Sequence, residues 1–201
     1  VDDGETVRRE IEPLYIKLVT EFAEKKIVCR SEIAKAYIPE DDIIPRLPFE
    51  VAMDNYGVDK PDLRYGMELV DLTDVFTDTD FKVFKQPCVK ALCVKGGAEL
   101  TRREIDEFTE QARKLGAGGL AYILYSGGEA KSPILKFMSD AEISAVREKM
   151  GAEDGDAVFF GADTRDLVNK VLGQLRISFA DRFGLKNPKE VALTWVVDFP
   201  F

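Results

Sequence analysis

The turn "DKPDLRYG", from Asp59 to Gly66, holds the densest set of chemically active side chains in the sequence. It places two carboxylates, Lys60 and Arg64 around a proline. An arginine can bind a carboxylate or a phosphate through two parallel N–H donors, so a substrate-facing basic loop is one interpretation. The alternative, which we favour, is a set of internal ion pairs that fixes the loop. Lys60 and Arg64 are therefore our only candidates for a position near a substrate.

The stretch "AVFFGADTRD", Ala157 to Asp166, joins an apolar run to the start of a helical pattern. A glycine-containing turn before a helix can present backbone N–H groups to an anion. However, Asp163 and Thr164 occupy the capping positions of that helix, and the aspartate carboxylate would repel a phosphate. We therefore interpret Asp163 as a structural cap and not as an anion site.

Two other groups give weak signals. "GAGG", Gly116 to Gly119, follows a helical pattern and precedes a strand pattern, which is the reverse of the context that dinucleotide binding requires. Cys88 and Cys93 lie in β-type sequence, where a buried thiol acting as a small apolar side chain is the favoured interpretation over a reactive one.

The composition excludes several classes of function. The 201 residues include 28 Lys and Arg against 37 Asp and Glu, a net charge of −9 that repels a polyphosphate partner except at a local site. The chain has no histidine, and Cys29, Cys88 and Cys93 lack metal-ligand spacing, so we expect no metal site and no cofactor in this sequence. No apolar run reaches the roughly 18 residues of a membrane span, and the free cysteines are typical of the cytoplasm, so we expect a cytoplasmic protein without a membrane partner.

The N-terminal part reads as helix followed by ordered loop. Apolar residues recur at helical spacing from Val7 to Phe22, and Pro13 inside this pattern predicts a kink or a late start. A short helix is predicted around Phe49 to Asn55.

From about residue 76 the pattern changes. "DFKVFK" and "CVKALCVKGG" predict a β-hairpin. Thr101 with Glu104, and Ser139 with Glu142, have the spacing of capping boxes at the start of two helices. A long helix follows Asp163, and "VALTWVVDF" near the end predicts one strand of a larger sheet.

These elements give the order β-β-α-β-α-β-α between residues 76 and 185. The strands are too few and too short for a doubly wound nucleotide-binding fold, so we predict an α+β fold with a two-layer antiparallel sheet and helices. The predicted domains are a module at residues 76–187 inserted between residues 1–75 and a returning strand at residues 188–201.

Six separated motifs, among them "GVDKPDLRYGMELVDLTDVF", "GGAELTRREIDEF", "DGDAVFFGAD" and "WVVDFPF", occur in an order that resembles the bacterial-type aspartyl-tRNA synthetases. The middle module resembles the GAD insertion domain of that family. The resemblance implies a partial class II catalytic domain that surrounds this insertion.

The resemblance also implies an activity for the parent enzyme. Members of the family activate aspartate with ATP and Mg²⁺ and transfer it to the 3′ end of tRNA, usually as homodimers. The family's catalytic motifs match no position in this chain, so we expect these 201 residues to be inactive alone. The alternative is a non-catalytic, tRNA-contacting GAD module of a tRNA-dependent amidotransferase.

Overall fold

Segments from distant parts of the sequence build two separate units in the computed structural model, which describes residues 4–200. Among the described residues, the first unit contains residues 4–47, 62–66 and 180–197. The second contains residues 48–61, 67–179 and 198–200. The domain boundaries that the sequence predicts near residues 75 and 187 stay a prediction.

The described residues form six α-helices and nine strands. The helices are α1 (Gly4–Lys17), α2 (Glu32–Lys35), α3 (Phe49–Tyr56), α4 (Arg102–Leu115), α5 (Asp140–Met150) and α6 (Arg165–Arg182). The strands are β1 (Lys26–Ile27), β2 (Arg46–Pro48), β3 (Val70–Asp71), β4 (Cys88–Val94), β5 (Ala121–Ser126), β6 (Glu129–Lys131), β7 (Ala157–Asp163), β8 (Glu190–Val191) and β9 (Trp195–Val197). The predicted helix around Phe49 to Asn55 is confirmed as α3.

The N-terminal helix α1 differs from its prediction in two ways. It runs without interruption through Pro13, so the expected late start is wrong, and a π-helical turn at Leu18–Phe22 follows it. Its apolar stripe does not form a core, because Leu14 and Phe22 are 58% and 74% exposed. The buried residue of α1 is Glu12, which faces an arginine and a tryptophan described below.

The C-terminal apolar run forms two short strands instead of the single predicted strand. β8 pairs with β1 in parallel, and β9 pairs with β2. Between β8 and β9, Thr194 donates its hydroxyl to the carbonyl of Pro45 at 3.2 Å. The run is divided because its two parts pair with different strands in two separate sheets.

A five-stranded antiparallel sheet in the order β3-β4-β7-β5-β6 forms the centre of the second unit. Strands β4 and β7 pair along seven residues, from Cys88 opposite Asp163 to Val94 opposite Ala157. Strand β5 pairs with only part of β7, from Ala121 opposite Phe160 to Leu124 opposite Ala157. The antiparallel sheet that the sequence predicts is confirmed.

Helices cover both faces of this sheet, so the predicted two-layer arrangement is wrong. Successive residues of a strand point to opposite faces. Phe159 packs on Phe179 of α6, with ring centroids 4.6 Å apart, while Phe160 lies in the cluster that contains Val146 and Met150 of α5. The sheet therefore forms the middle of three layers.

The segment "DFKVFK" is not a strand, which corrects the predicted hairpin. Lys82–Phe84 forms a 3₁₀-helix; Phe84 and Phe81, the residue before the helix, are buried, and Val83 is 52% exposed. A spacing of three residues brings side chains to the same side of a 3₁₀-helix, so both phenylalanines reach the core. Strand β3 takes the edge position beside β4.

The predicted capping boxes of α4 and α5 are confirmed. In each, the side chain of the first residue, Thr101 or Ser139, accepts a hydrogen bond from the backbone of the glutamate three residues later, which reciprocates. The predicted cap at Asp163 is corrected. Asp163 is the last residue of β7, and its Oδ1 accepts from the N–H of Thr164 at 2.7 Å, so it lies one residue before the N-cap position of α6.

Helices α3 and α6 meet through their backbones at two glycines. Gly57 ends α3 with a φ of 69°, and a Cβ on it would lie 2.1 Å from the carbonyl oxygen of Asn169. A Cβ on Gly173 would lie 2.7 Å from the carbonyl oxygen of Gly57. No side chain larger than hydrogen fits at either position without moving one helix away from the other.

Replacing Gly173 by alanine should therefore destabilise the protein, although alanine is the better helix former by about 1 kcal/mol. We expect Gly173→Ala to lower the free energy of unfolding in urea by about 2 kcal/mol through overpacking. Gly119→Ala is the matched control. Nothing lies within 4 Å of a Cβ there, so its effect should stay within about 0.5 kcal/mol. A Gly173→Ala protein as stable as the wild type would contradict the backbone contact.

Candidate functional site

A half-open groove of about 590 Å³ lies at the end of the sheet in the second unit. Its walls come from the 3₁₀-helix at Phe84, from α4 at Arg113, from the glycine turn at Gly118 and from α6 at Leu167. Its floor contains Gly161, Ala162 and Asp163 of β7. We call this space the sheet-edge groove. It brings together "GAGG" and "GAD", the two glycine motifs that the sequence analysis treated separately.

Beside the groove, a lysine is buried in the middle of strand β4. Lys90 is 1% exposed, and its ammonium group donates to three oxygens. These are the carbonyl oxygen of Asp54 at 2.7 Å, Oδ1 of Asp54 at 3.2 Å and Oδ1 of Asn169 at 2.8 Å. An ammonium group has three protons to donate, so each can have its own acceptor. The acceptors that replace water around this buried charge come from Asp54 of α3 and from Asn169 of α6.

The carboxylate of Asp54 is shared with a second cation. Arg165 donates from Nη1 to both oxygens of Asp54 at 2.8 Å, and from Nη2 to Asp71 at 3.0 Å. Burial acts to raise the pKa of Asp54, but the hydrogen bonds from Arg165 and Asn169 outweigh it, so the pKa lies below its usual value. The carboxylate is therefore held in its ionised form, which is the form that Lys90 needs.

A buried arginine makes a second link between α3 and α6. Arg176 is 0% exposed, and its guanidinium group lies 5.1 Å from the ring centroid of Tyr56. Its Nε donates to the carbonyl oxygen of Met67 at 3.0 Å. Met67 has a φ of 67°, a left-handed conformation that is uncommon for a residue with a side chain. Arg176 thus fixes both the aromatic end of α3 and the backbone that leads towards β3.

The two candidate site residues of the "DKPDLRYG" turn belong to different units. Lys60 belongs to the second unit and is exposed. Arg64 belongs to the first unit, where it forms a short-range ion pair with Asp62, Nη2 to Oδ2 at 2.7 Å, and donates to the carbonyl of Asn187. The ion-pair interpretation therefore describes Arg64, whose guanidinium group is occupied within the first unit.

A bidentate pair holds the same part of the first unit. Arg30 donates to both carboxylate oxygens of Glu190 at 2.6 and 2.7 Å and to the carbonyl of Arg64 at 2.6 Å. The hydrogen bond from Arg30 lowers the pKa of Glu190. Strand β8 is thereby connected to the turn, because Glu190 is its first residue.

A second arginine of the first unit lies among three carboxylates. Arg46 contacts Glu12 and Asp42 at 2.8 Å each and Glu5 at 3.2 Å. The hydrogen bond from Arg46 is the main reason that the pKa of Glu5 falls to about 2. Glu12 also accepts from the indole Nε1 of Trp195 at 2.6 Å. The buried glutamate of α1 is thus paired, and the cluster joins α1, β2 and β9.

The cysteines show no sign of an activated thiol. Cys88 is buried, and burial raises its pKa. Burial raises the pKa of Cys93 to about 11. Both groups are therefore thiols at neutral pH, as the interpretation of these residues as small apolar side chains requires.

Neither a cluster of metal ligands nor a membrane-spanning helix is present among residues 4–200. No group of three or more His, Cys, Asp or Glu side chains is placed to hold a metal ion. None of the helices in this range is both long and apolar enough to cross a membrane.

The sequence analysis missed Asp54, Lys90 and Asn169. The available signal was a lysine inside the apolar run "CVKALCV", where a charge must either face solvent or find buried partners. The partners themselves could not be read from the sequence, because they lie 36 residues before and 79 residues after Lys90.

A known protein family matches the part of the chain that contains the groove. The GAD domain family matches residues 82–172, which include β4, α4, β5, β7 and the sheet-edge groove motifs Gly116 to Gly119 and Gly161 to Asp163. Residues 82–172 are therefore similar to the GAD domain family.

Curated relatives match the chain well beyond this domain, and each carries the name aspartate–tRNA(Asp/Asn) ligase. The relative from Nitratidesulfovibrio vulgaris (strain Hildenborough) is 39% identical over 99% of this chain, and that from Natranaerobius thermophilus is 40% identical over 92%. The relative from Bifidobacterium longum (strain DJO10A) is 50% identical over 78%. The chain spans between 26% and 34% of the length of these relatives.

One solved structure, a hypothetical protein from Pyrococcus horikoshii OT3, shows limited similarity. It is 23% identical, with a TM-score of 0.36, and the similarity covers 47% of this chain and 51% of that protein.

Removing the buried ammonium group should destabilise the second unit. Lys90→Met keeps most of the side-chain volume but removes the donor to the carbonyl oxygen of Asp54 and to Oδ1 of Asn169, and we expect a loss of about 3 kcal/mol in the free energy of unfolding. Lys131→Met, on the exposed strand β6, is the matched control and should change stability by less than about 0.5 kcal/mol. Urea denaturation at pH 7 measures both. Equal stabilities of the two variants would show that the Lys90 contacts contribute nothing.

The lowered pKa of Asp54 predicts how stability depends on pH. A carboxyl group whose pKa is lower in the folded state stabilises the protein above its unfolded pKa of about 3.9, and this contribution is lost as the pH falls through the folded value. Asp54→Asn should therefore be less stable than the wild type at pH 7, with a difference that shrinks between pH 4 and pH 2. Denaturation midpoints measured across this range test the prediction, with the exposed Asp166→Asn as control. A difference that stays constant with pH would contradict it.

Proposed function

Since this chain is homologous to an internal segment of the aspartate–tRNA(Asp/Asn) ligases and its residues 82–172 are similar to the GAD domain family, we propose that it is part of an enzyme that attaches aspartate to tRNA. The observation that carries the proposal is the similarity to such a ligase over 99% of the chain at 39% identity. This similarity includes residues on both sides of the GAD domain, so it is not a property of the domain alone.

The proposed reaction has two steps. A carboxylate oxygen of aspartate attacks the α-phosphate of ATP and pyrophosphate leaves, which forms an aspartyl adenylate. A hydroxyl group of the terminal ribose of tRNA then attacks the activated carbonyl carbon, and AMP leaves with the bonding electron pair. Aspartate, ATP and tRNA are the substrates in this proposal, and Mg²⁺ accompanies ATP.

Residues 4–200 do not fit a role as the Mg²⁺ site, because no suitable group of carboxylates is present among them. We therefore assign no step of the reaction to a metal bound by this segment. Proton transfer is also not assigned here, since the sequence has no histidine, and since Asp54 and Glu190, whose pKa values are lowered, are held in ion pairs. We propose that the segment is inactive alone and that the reacting groups come from other parts of the enzyme.

Lys60 remains the residue for which we propose a substrate-proximal position. It is exposed, and it follows the end of α3 by four residues. Helix α3 is held through Asp54, Tyr56 and Gly57, so the start of the turn is well positioned. Because the net charge of −9 repels a polyanionic substrate, such a substrate would need a local cation on the surface, and Lys60 can supply one. Arg64 is the weaker candidate, because Asp62 already occupies its guanidinium group.

A second candidate function is a tRNA-contacting role in a tRNA-dependent amidotransferase. The match of the GAD domain to residues 82–172 supports it. The similarity of residues outside this range to the ligases favours the first proposal.

The two proposals make different predictions for the longer protein that contains this chain. The purified protein should catalyse aspartate-dependent exchange of pyrophosphate into ATP and should charge tRNA with aspartate. The isolated 201 residues should catalyse neither reaction, because they lack the reacting groups. Exchange by the isolated chain would refute its proposed inactivity. Glutamine-dependent amidation of a charged tRNA, without exchange activity, would support the amidotransferase instead.

A further inference from the structure

The pairing of the central sheet leaves one edge of strand β7 without a partner. Strand β5 begins at Ala121, opposite Phe160, so it runs beside β7 only as far as that residue. On the opposite edge, the register with β4 continues to Asp163. The last three residues of β7, Gly161 to Asp163, are therefore paired on one side and open on the other among the described strands. At about 3.3 Å per residue, this open edge is roughly 10 Å long.

The open edge faces the sheet-edge groove, and the groove lies in the plane of the sheet. One wall contains Phe81 and Phe84, which pack on the face of the sheet that Phe160 occupies. The other wall contains Leu167 and Val168 of α6, which lie on the face towards Gly161. The groove is bounded by side chains from both faces of the sheet and by the edge of β7. It therefore lies where one more strand of the sheet would lie.

The chain itself leaves this position free. The residues that would continue β5 beside Gly161 to Asp163 form the glycine turn, where Gly118 and Gly119 have nothing within 4 Å of a Cβ position. An open strand edge in a natural protein is normally covered, charged or very short, because it can pair with another chain. Here the turn has no side chain at Gly119 and Gly118, the residues that would continue β5 beside Ala162 and Asp163, while the buried Leu120 lines the groove beside Gly161.

We propose that the sheet-edge groove binds an extended peptide segment of a partner protein, which adds to β7 as a short strand beside Gly161 to Asp163. Main-chain hydrogen bonds to the open edge would supply the affinity, and the two walls would receive alternate side chains.

The lining of the groove sets the chemistry of that peptide. Both walls are apolar, so alternate side chains of the peptide are aliphatic. The polar rim contains one cation, Arg113, and one anion, Asp163, so it gives no net preference for a charged segment. Arg113 also pairs with Glu110 at 2.5 Å, which reduces its attraction for a phosphate. The groove therefore fits an uncharged, β-branched segment of three to four residues better than a nucleic-acid backbone.

Binding can be tested with the full chain and a defined peptide. The probe is acetyl-Lys-Val-Ile-Val-Lys-amide, and the control peptide has proline in place of isoleucine, which removes one main-chain donor. In ¹⁵N-labelled protein, the probe should shift the amide resonances of Gly161, Ala162 and Asp163, and the proline peptide should bind at least tenfold more weakly. Absence of these shifts at about 1 mM peptide, or equal binding of the proline peptide, would overturn the proposal.

Two protein variants separate the groove from non-specific apolar binding. Val83 lines the groove and is 52% exposed, so Val83→Asp should fold normally and weaken binding of the probe about tenfold. Val7 is 47% exposed on α1, and Val7→Asp should leave the affinity within about twofold. Equal effects of the two variants would overturn the groove as the site. A single-stranded RNA oligonucleotide that shifts the same amides when the peptide does not would also overturn it.

Discussion

The buried ammonium group of Lys90 sets the arrangement of the second unit. A charge removed from water is tolerated only when its hydrogen bonds are replaced, and here the replacements come from α3 and α6. Both helices must therefore lie within hydrogen-bond distance of the middle of β4. The backbone contact between Gly57 and Gly173 and the burial of Arg176 against Tyr56 satisfy the same requirement at later turns of the two helices. Electrostatics and close packing thus specify one position for α3.

The same constraint explains why glycine begins the "GAD" motif. Lys90 lies directly opposite Gly161 in the pairing of β4 with β7, so the two residues point to the same face of the sheet. A Cβ on Gly161 would lie 3.2 Å from Val168 and Leu172 of α6. The missing side chain lets α6 approach closely enough for Asn169 to reach the ammonium group. The motif that first suggests an anion site therefore contributes to the compensation of a buried cation.

Signals that act over three or four residues were readable from the sequence, and signals that depend on distant partners were not. The capping boxes at Thr101 and Ser139 are local, and both are present. The 3₁₀ turn at Phe81 and Phe84 had a local signal too, a spacing of three, which the strand prediction overlooked. The burial of Glu12 had no local signal in the sequence, because its partners Arg46 and Trp195 come from other parts of the chain. The Lys90 network and the groove depend on strand register, which short patterns do not determine.

The raised pKa of Cys93 has a consequence for the chemical durability of the protein. Thiol oxidation and alkylation proceed through the thiolate, and at neutral pH a pKa of about 11 leaves only about one such group in ten thousand ionised. Cys88 is protected in addition by its position opposite Asp163 inside the sheet. Oxidants that reach the native protein should therefore modify these two thiols slowly, and a rapid reaction at either would report that strand β4 has opened. The thiols of β4 thus serve as built-in reporters of local unfolding.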